Sequence, residues 1–158
     1  MFDDILIFLE PVSRELAEMG KKFWNDNLLV YTEKNDLPYG DEDFDSAMIF
    51  VNESRNAIYH ETKFLNGIEK IRSKFYSLYP PGKKVRLLDL GNIQAGYESK
   101  DTYFALAKVM ELLIRKNKFL FIIGAHKDLI YSQFSGYQNL EQTVNMVCIG
   151  HQVDISLE

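Results

Sequence analysis

KFLFIIGAHKDLIYSQF, residues 118–134, decides how this chain is read. Phe119 to Ile123 form an unbroken apolar run that Gly124 ends, and His126, Lys127 and Asp128 follow before a short helical pattern over Leu129 to Tyr137. A strand that is apolar at every position is buried on both faces, and this is the mark of a parallel sheet with helices on each side. NMVCIGHQVD, residues 145–154, has the same layout of apolar run, glycine, histidine and aspartate. Both stretches leave a strand at its carboxyl end, where α/β sheets gather ligands, so His126, Lys127, Asp128, His151, Gln152 and Asp154 are expected to share one mouth.

Outward from these stretches, strands and helices alternate. LLVYT (28–32), AMIFVN (47–52), VRLLDLGN (85–92), KFLFIIG (118–124) and VNMVCIG (144–150) read as strands. Pro11 suits the first turn of a helix running to Trp24, with Leu16, Ala17 and Met19 on its apolar face. Asn52 or Ser54 is placed to cap a long helix with Phe64, Ile68, Ile71, Phe75 and Leu78 on one stripe, stopped at Pro80-Pro81-Gly82. Asp101 is placed to cap another, with Tyr103, Leu106, Ala107, Met110, Leu113 and Ile114 inward and Lys108, Glu111 and Arg115 outward. The expected architecture is a single α/β domain over residues 1–158.

Composition narrows the function. The 158 residues are 46% hydrophobic and 13% aromatic, enough for a buried core, which excludes a disordered chain. A formal charge of -5 argues against nucleic acid, whose binding draws on Lys and Arg at phosphates. The N-terminal apolar run is broken by Glu10 and Pro11 and lacks a basic lead, so neither a signal peptide nor a membrane partner is expected. A lone cysteine, Cys148, within an apolar run fits a reducing compartment, and the cytoplasm is the expected location. The acids between Asp41 and Asp45 lack the spacing of a calcium loop and read as a solvated turn.

The chemistry narrows by the same route. No glycine-rich phosphate loop follows a strand, no nucleophile elbow is present, and Cys148 sits where a thiol is inert packing. No catalytic residue is therefore assigned. His60 falls within the long helix and receives no role. Two readings of the mouth stay open: His and Asp there could ligate manganese, zinc or iron, or they could be polar turn residues with Asp128 capping the next helix.

The segments VRLLDLGNIQAG, DTYFALAKVMELLIRKNKFLFIIGAHKDLIYSQF and LEQTVNMVCIGHQVD, within residues 85–154, resemble the N-terminal half of the arginase (ureohydrolase) superfamily, formimidoylglutamase-like members above all. LEP from Leu9 and FVNESRNA from Phe50 extend the likeness more loosely. The resemblance implies a three-layer α/β/α fold around a mainly parallel sheet, of which this chain carries the N-terminal half. It also implies a manganese pair held by Gly-Gly-Asp-His-Ser and Asp-Ala-His-x-Asp motifs. In this sequence Lys127 stands at the first motif's histidine, Gly150 and Gln152 at two ligand positions of the second, and only Asp154 is retained. The metal site is thus expected to be degenerate, no cofactor is expected, and a non-catalytic binding or scaffold role follows.

The alternative is a manganese-dependent hydrolase of formimidoylglutamase or agmatinase type, cleaving C–N bonds of guanidino or formimino substrates and requiring a further C-terminal half. A site shifted by one residue onto His126 and His151, with Asp128 nearby, is its weaker form, because a one-residue shift turns a strand side chain to the other face. A half-sheet also implies exposed edges, and hence a homo-oligomer or association through them.

Overall fold

The sheet has five strands, β1 (Leu9–Glu10), β2 (Leu28–Val30), β3 (Ser46–Val51), β4 (Leu87–Ile93) and β5 (Phe119–Gly124). The computed structural model describes residues 2–56, 67–80, 85–124, 126–140, 145 and 147. Four of the five apolar runs are these strands, in parallel: β4 pairs with β3, β3 with β5, and β2 with the first half of β4. The sequence gives no warning of β1, which pairs antiparallel with the far end of β4, Leu9 opposite Ile93. The run 144–150 falls mostly outside the described residues, and its members Asn145 and Val147 lie outside any strand and are exposed.

Alternation along β3 sends Ala47, Ile49 and Val51 to one face and Met48 and Phe50 to the other. The first set packs with Leu88, Leu90 and the inner face of α4 (Ser99–Arg115), beside α1 (Asp3–Leu6). The second packs with α2 (Arg14–Trp24) and α3 (Gly67–Tyr76). Helices therefore cover both faces of an open, mostly parallel sheet. α5 (Ile130–Gln138) lies against α4. No helix among the described residues is long and apolar enough to cross a membrane.

Several local expectations change. Pro11 precedes α2 rather than opening it, and Ser13 caps that helix, its Oγ accepting from the Leu16 N–H at 3.3 Å. Glu98 takes the cap position of α4, and Asp101 reaches back to accept from the Glu98 N–H at 2.8 Å, half of a capping box. Residues 52–56 are not helical, so neither Asn52 nor Ser54 caps there. The acids of 41–45 form a turn anchored by cations, with Asp41 paired to Lys116 and Asp45 to Arg86. His60, Phe64, Pro81, Gly82 and Cys148 lie outside the described residues.

The largest change is in α3. Its buried residues are Ile68, Arg72 and Tyr76, one i, i+4 row, with Phe75 half-buried against the same core as expected, while Ile71 and Leu78 are exposed. The cause lies in β4, where Asp89 faces the same side as Met48 and is 0% exposed. An isolated buried carboxylate costs several kcal/mol, so α3 turns its cation inward. Arg72 Nε donates to Asp89 Oδ2 at 2.9 Å, Nη2 to Asn92 Oδ1 at 2.8 Å, and the guanidinium lies 4.0 Å from the centroid of the Phe50 ring. Tyr76 donates to the same Oδ2 at 2.6 Å.

Gly91 completes this arrangement. Between Met48 and Phe50 the β3–β4 register slips, with Asp89 opposite Met48 but Asn92 opposite Phe50, a β-bulge that turns Asn92 toward Arg72. Gly91 has φ +79°, its N–H donates to Asp89 Oδ1 at 2.8 Å, and a Cβ there would sit 2.1 Å from the Glu10 carbonyl oxygen. Glycine alone meets both demands.

Candidate functional site

β3 is an inner strand of the sheet, and its neighbours β4 and β5 both lead into helices on the opposite face from α3. Chains leaving neighbouring strands in opposite directions open a crevice at the carboxyl edge, the position at which sheets of this type bind ligands. Three segments line it: 52–56 after β3, 94–98 after β4, and 126–129 after β5.

A carboxylate and a guanidinium tie the first two segments together. Glu53, 2% exposed, accepts from Arg55 Nε at 3.0 Å, Nη2 at 2.5 Å and the Arg55 backbone N–H at 2.9 Å. The same guanidinium donates through Nη1 to the carbonyls of Gly96 at 3.0 Å and Tyr97 at 2.7 Å, and through Nη2 to Thr102 Oγ1 at 3.1 Å. Thr102 in turn accepts from the Gly96 N–H at 3.1 Å. Burial raises the Glu53 carboxyl, but the hydrogen bonds from Arg55 outweigh it and hold the group below the ordinary glutamate range. Arg55 is raised in return, chiefly by its bonds to Glu53.

The second cluster joins α4 to the segment after β5. Tyr103 donates its hydroxyl proton to Asp128 Oδ2 and accepts from Asn56 Nδ2 at 3.0 Å. Burial first, and then the Asp128 carboxylate, push the Tyr103 phenol up to about 12. His126, not Asp128, caps the turn Lys127–Leu129: its Nδ1 lies 3.4 Å from the Asp128 backbone N. That nitrogen also lies 2.7 Å from Asp128 Oδ1, a buried atom with no hydrogen-bond partner while Nδ1 accepts.

The structure thus places His126, Lys127 and Asp128 at the expected edge, with Lys127 exposed. Gly150, His151, Gln152 and Asp154 lie outside the described residues. Glu53, Arg55, Thr102 and Tyr103 were not singled out from sequence as members of this edge. The pattern Glu-x-Arg two residues past a strand, in FVNESRNA, was the available signal.

Manganese finds no centre in what is described. Among the described residues no group of three or more His, Cys, Asp or Glu is placed to hold an ion. Glu53 is bound by a guanidinium and Asp128 Oδ2 by the Tyr103 hydroxyl, so the described carboxylates are not arranged to hold a metal pair. No protein-family model, curated protein or solved structure matches the chain, and the arginase resemblance rests on its motifs alone.

Proposed function

We propose that this chain is a non-catalytic binding domain, built on an arginase-like three-layer arrangement with a degenerate metal site, whose ligand-facing surface is the carboxyl edge of the sheet. One observation carries the reading: the two carboxylates that reach into the crevice from 52–56 and 126–129 are held by protein donors, Glu53 by Arg55 and Asp128, through Oδ2, by Tyr103. A general base needs a lone pair directed at a substrate, and a metal pair needs carboxylates directed at the ions. Carboxylates held in this way instead stiffen a polar rim, which suits recognition. The cytoplasm is the compartment this reading assigns.

Dialysis against manganese followed by elemental analysis tests the proposal, together with an assay for C–N bond hydrolysis on formimino and guanidino substrates. The expected result is no stoichiometric manganese and no turnover. One or two ions per chain that are lost on Asp154→Ala would overturn it and restore the alternative of a metal-dependent formimidoylglutamase- or agmatinase-type hydrolase.

A further inference from the structure

The three crevice segments meet at one place. Ser99, Thr102 and Tyr103 stand at i, i+3 and i+4 in α4 and so share one face of its first turns. Further along the helix the same face is Leu106, Met110 and Leu113, buried against the sheet. Its beginning is polar, and each of its three hydroxyls reaches a crevice segment. Ser99 Oγ donates to Asn56 Oδ1 at 3.5 Å, and Tyr103 accepts from Asn56 Nδ2 at 3.0 Å. Thr102 Oγ1 accepts from Arg55 Nη2 and from the Gly96 N–H, both at 3.1 Å. The Tyr103 proton goes to Asp128. Segments 52–56, 94–98 and 126–129 therefore all attach to one helical face.

These bonds form chains rather than isolated pairs. Arg55 and Asn56 are consecutive and bond to Thr102 and Tyr103, which are also consecutive, so releasing one contact moves the backbone that positions the other. A hydroxyl that donates to a carboxylate is a better acceptor, so the bond from Tyr103 to Asp128 strengthens the one from Asn56 to Tyr103. Thr102 and Glu53 are buried, and a half-broken state would strand their polar atoms away from water.

We propose that the three segments open and close as one unit, held by the Ser99–Thr102–Tyr103 face of α4, so that an event at one loop of the crevice is transmitted to the other two. In the closed state all of these bonds hold together, and in the open state all three segments leave α4 while the sheet and the apolar part of α4 stay packed. A ligand that engages one segment then biases the other two, by no more than its own preference for the closed rim. The coupling rests on contacts among described residues and not on what the crevice binds, so it can fail while the binding reading holds, and the reverse.

Native-state hydrogen exchange on the full chain tests the coupling, because each segment has an amide that donates to a side chain of the network: Arg55 to Glu53, Gly96 to Thr102 and Asp128 to His126. Ile49, buried in β3, serves as the core reference. In the wild type the three amides are expected to share one opening constant and one urea slope, at lower protection than Ile49. Ser13→Ala, which removes the cap of α2 on the other face of the sheet, should speed Ile49 and leave the three unchanged. Tyr103→Phe should speed all three by at least about fivefold, the effect of one lost hydrogen bond, including Gly96, to which Tyr103 makes no bond. Thr102→Val should likewise speed Asp128, to which Thr102 makes no bond. Gly96 unmoved in the first variant, or Asp128 unmoved in the second, overturns the proposal. Three unequal opening constants or slopes in the wild type overturn it too, a result that needs no variant to fold. So does exchange of all three in step with Ile49 in Ser13→Ala, since the rim would then have no opening of its own.

Discussion

Arg72→Met isolates the charge at the centre of the α3–β4 contact. The substitution keeps most of the side-chain volume against Phe50 but removes the donors to Asp89 and Asn92, leaving Asp89 with the Tyr76 hydroxyl and the Gly91 N–H. Breaking a buried ion pair by deleting one partner costs roughly 3–5 kcal/mol, because the remaining charge stays buried. Out of a total domain stability of about 5–15 kcal/mol, that is a large fraction. At about 2–4 °C per kcal/mol for a chain of this size, the midpoint should fall by roughly 6–20 °C.

The sign with pH follows from Asp89. Burial pushes its carboxyl above the ordinary aspartate range, against the opposing pull of Arg72. Without Arg72 the folded-state value climbs further above the unfolded one, so the penalty is full at neutral pH and shrinks as pH falls and Asp89 takes up a proton. Urea unfolding followed by the fluorescence of Trp24, the only tryptophan, reads this directly, since its ring centroid lies 5.0 Å from that of Phe75 in α3. Asp89→Asn in the Arg72→Met background should return part of the loss, giving a coupling of about 0.5–3 kcal/mol. A variant within about 1 kcal/mol of wild type at neutral pH, or single effects that simply add, would refute the account of a buried pair.

Two further outcomes follow from the same geometry. Glu53→Gln should cost roughly 1–3 kcal/mol at neutral pH, toward the lower end because Arg55 is partly exposed, and should leave a flatter acid limb in a stability–pH titration. The wild-type contribution is present above the ordinary glutamate range and lost as pH falls through the lowered folded-state value, so wild type and variant should converge in acid. Gly91→Ala should lose about 1–2 kcal/mol from its positive φ alone, and more from the contact with the Glu10 carbonyl, measured as a lower urea midpoint.

The alternation of strands and helices was legible because a strand buried on both faces leaves a continuous apolar run, and four such runs became β2 to β5. β1 was not, since two residues carry no period and its pairing depends on Gly91 admitting the Glu10 carbonyl. His126, Lys127 and Asp128 reached the carboxyl edge as expected because a glycine-ended strand fixes where the next residues emerge. Their partners were hidden, as Tyr103 and Asn56 are distant in sequence and only the crossing of α4 over β3 brings them in.

The α3 stripe held at Ile68 and Phe75 and failed at Ile71 and Leu78, for a reason that carries a rule. Counting apolar residues at steps of three and four selects Ile68, Ile71, Phe75 and Leu78 and passes over Arg72. The missing term was a charge in the strand: Asp89 interrupts an otherwise apolar run in VRLLDLGN, and a parallel strand covered on both faces has no water with which to solvate it. The helix that covers such a strand must therefore present a cation, and in α3 the residue spaced by four from both Ile68 and Tyr76 is Arg72. Read in that order, strand charge before helix stripe, the sequence yields the observed face. The same carboxylate then fixes the bulge, since Asp89 Oδ1 accepts from Gly91 while Oδ2 accepts from Arg72 and Tyr76, and the bulge delivers Asn92 to the remaining guanidinium nitrogen. One acid in the strand thereby sets the rotation of a helix, the register of two strands and the approach of a third.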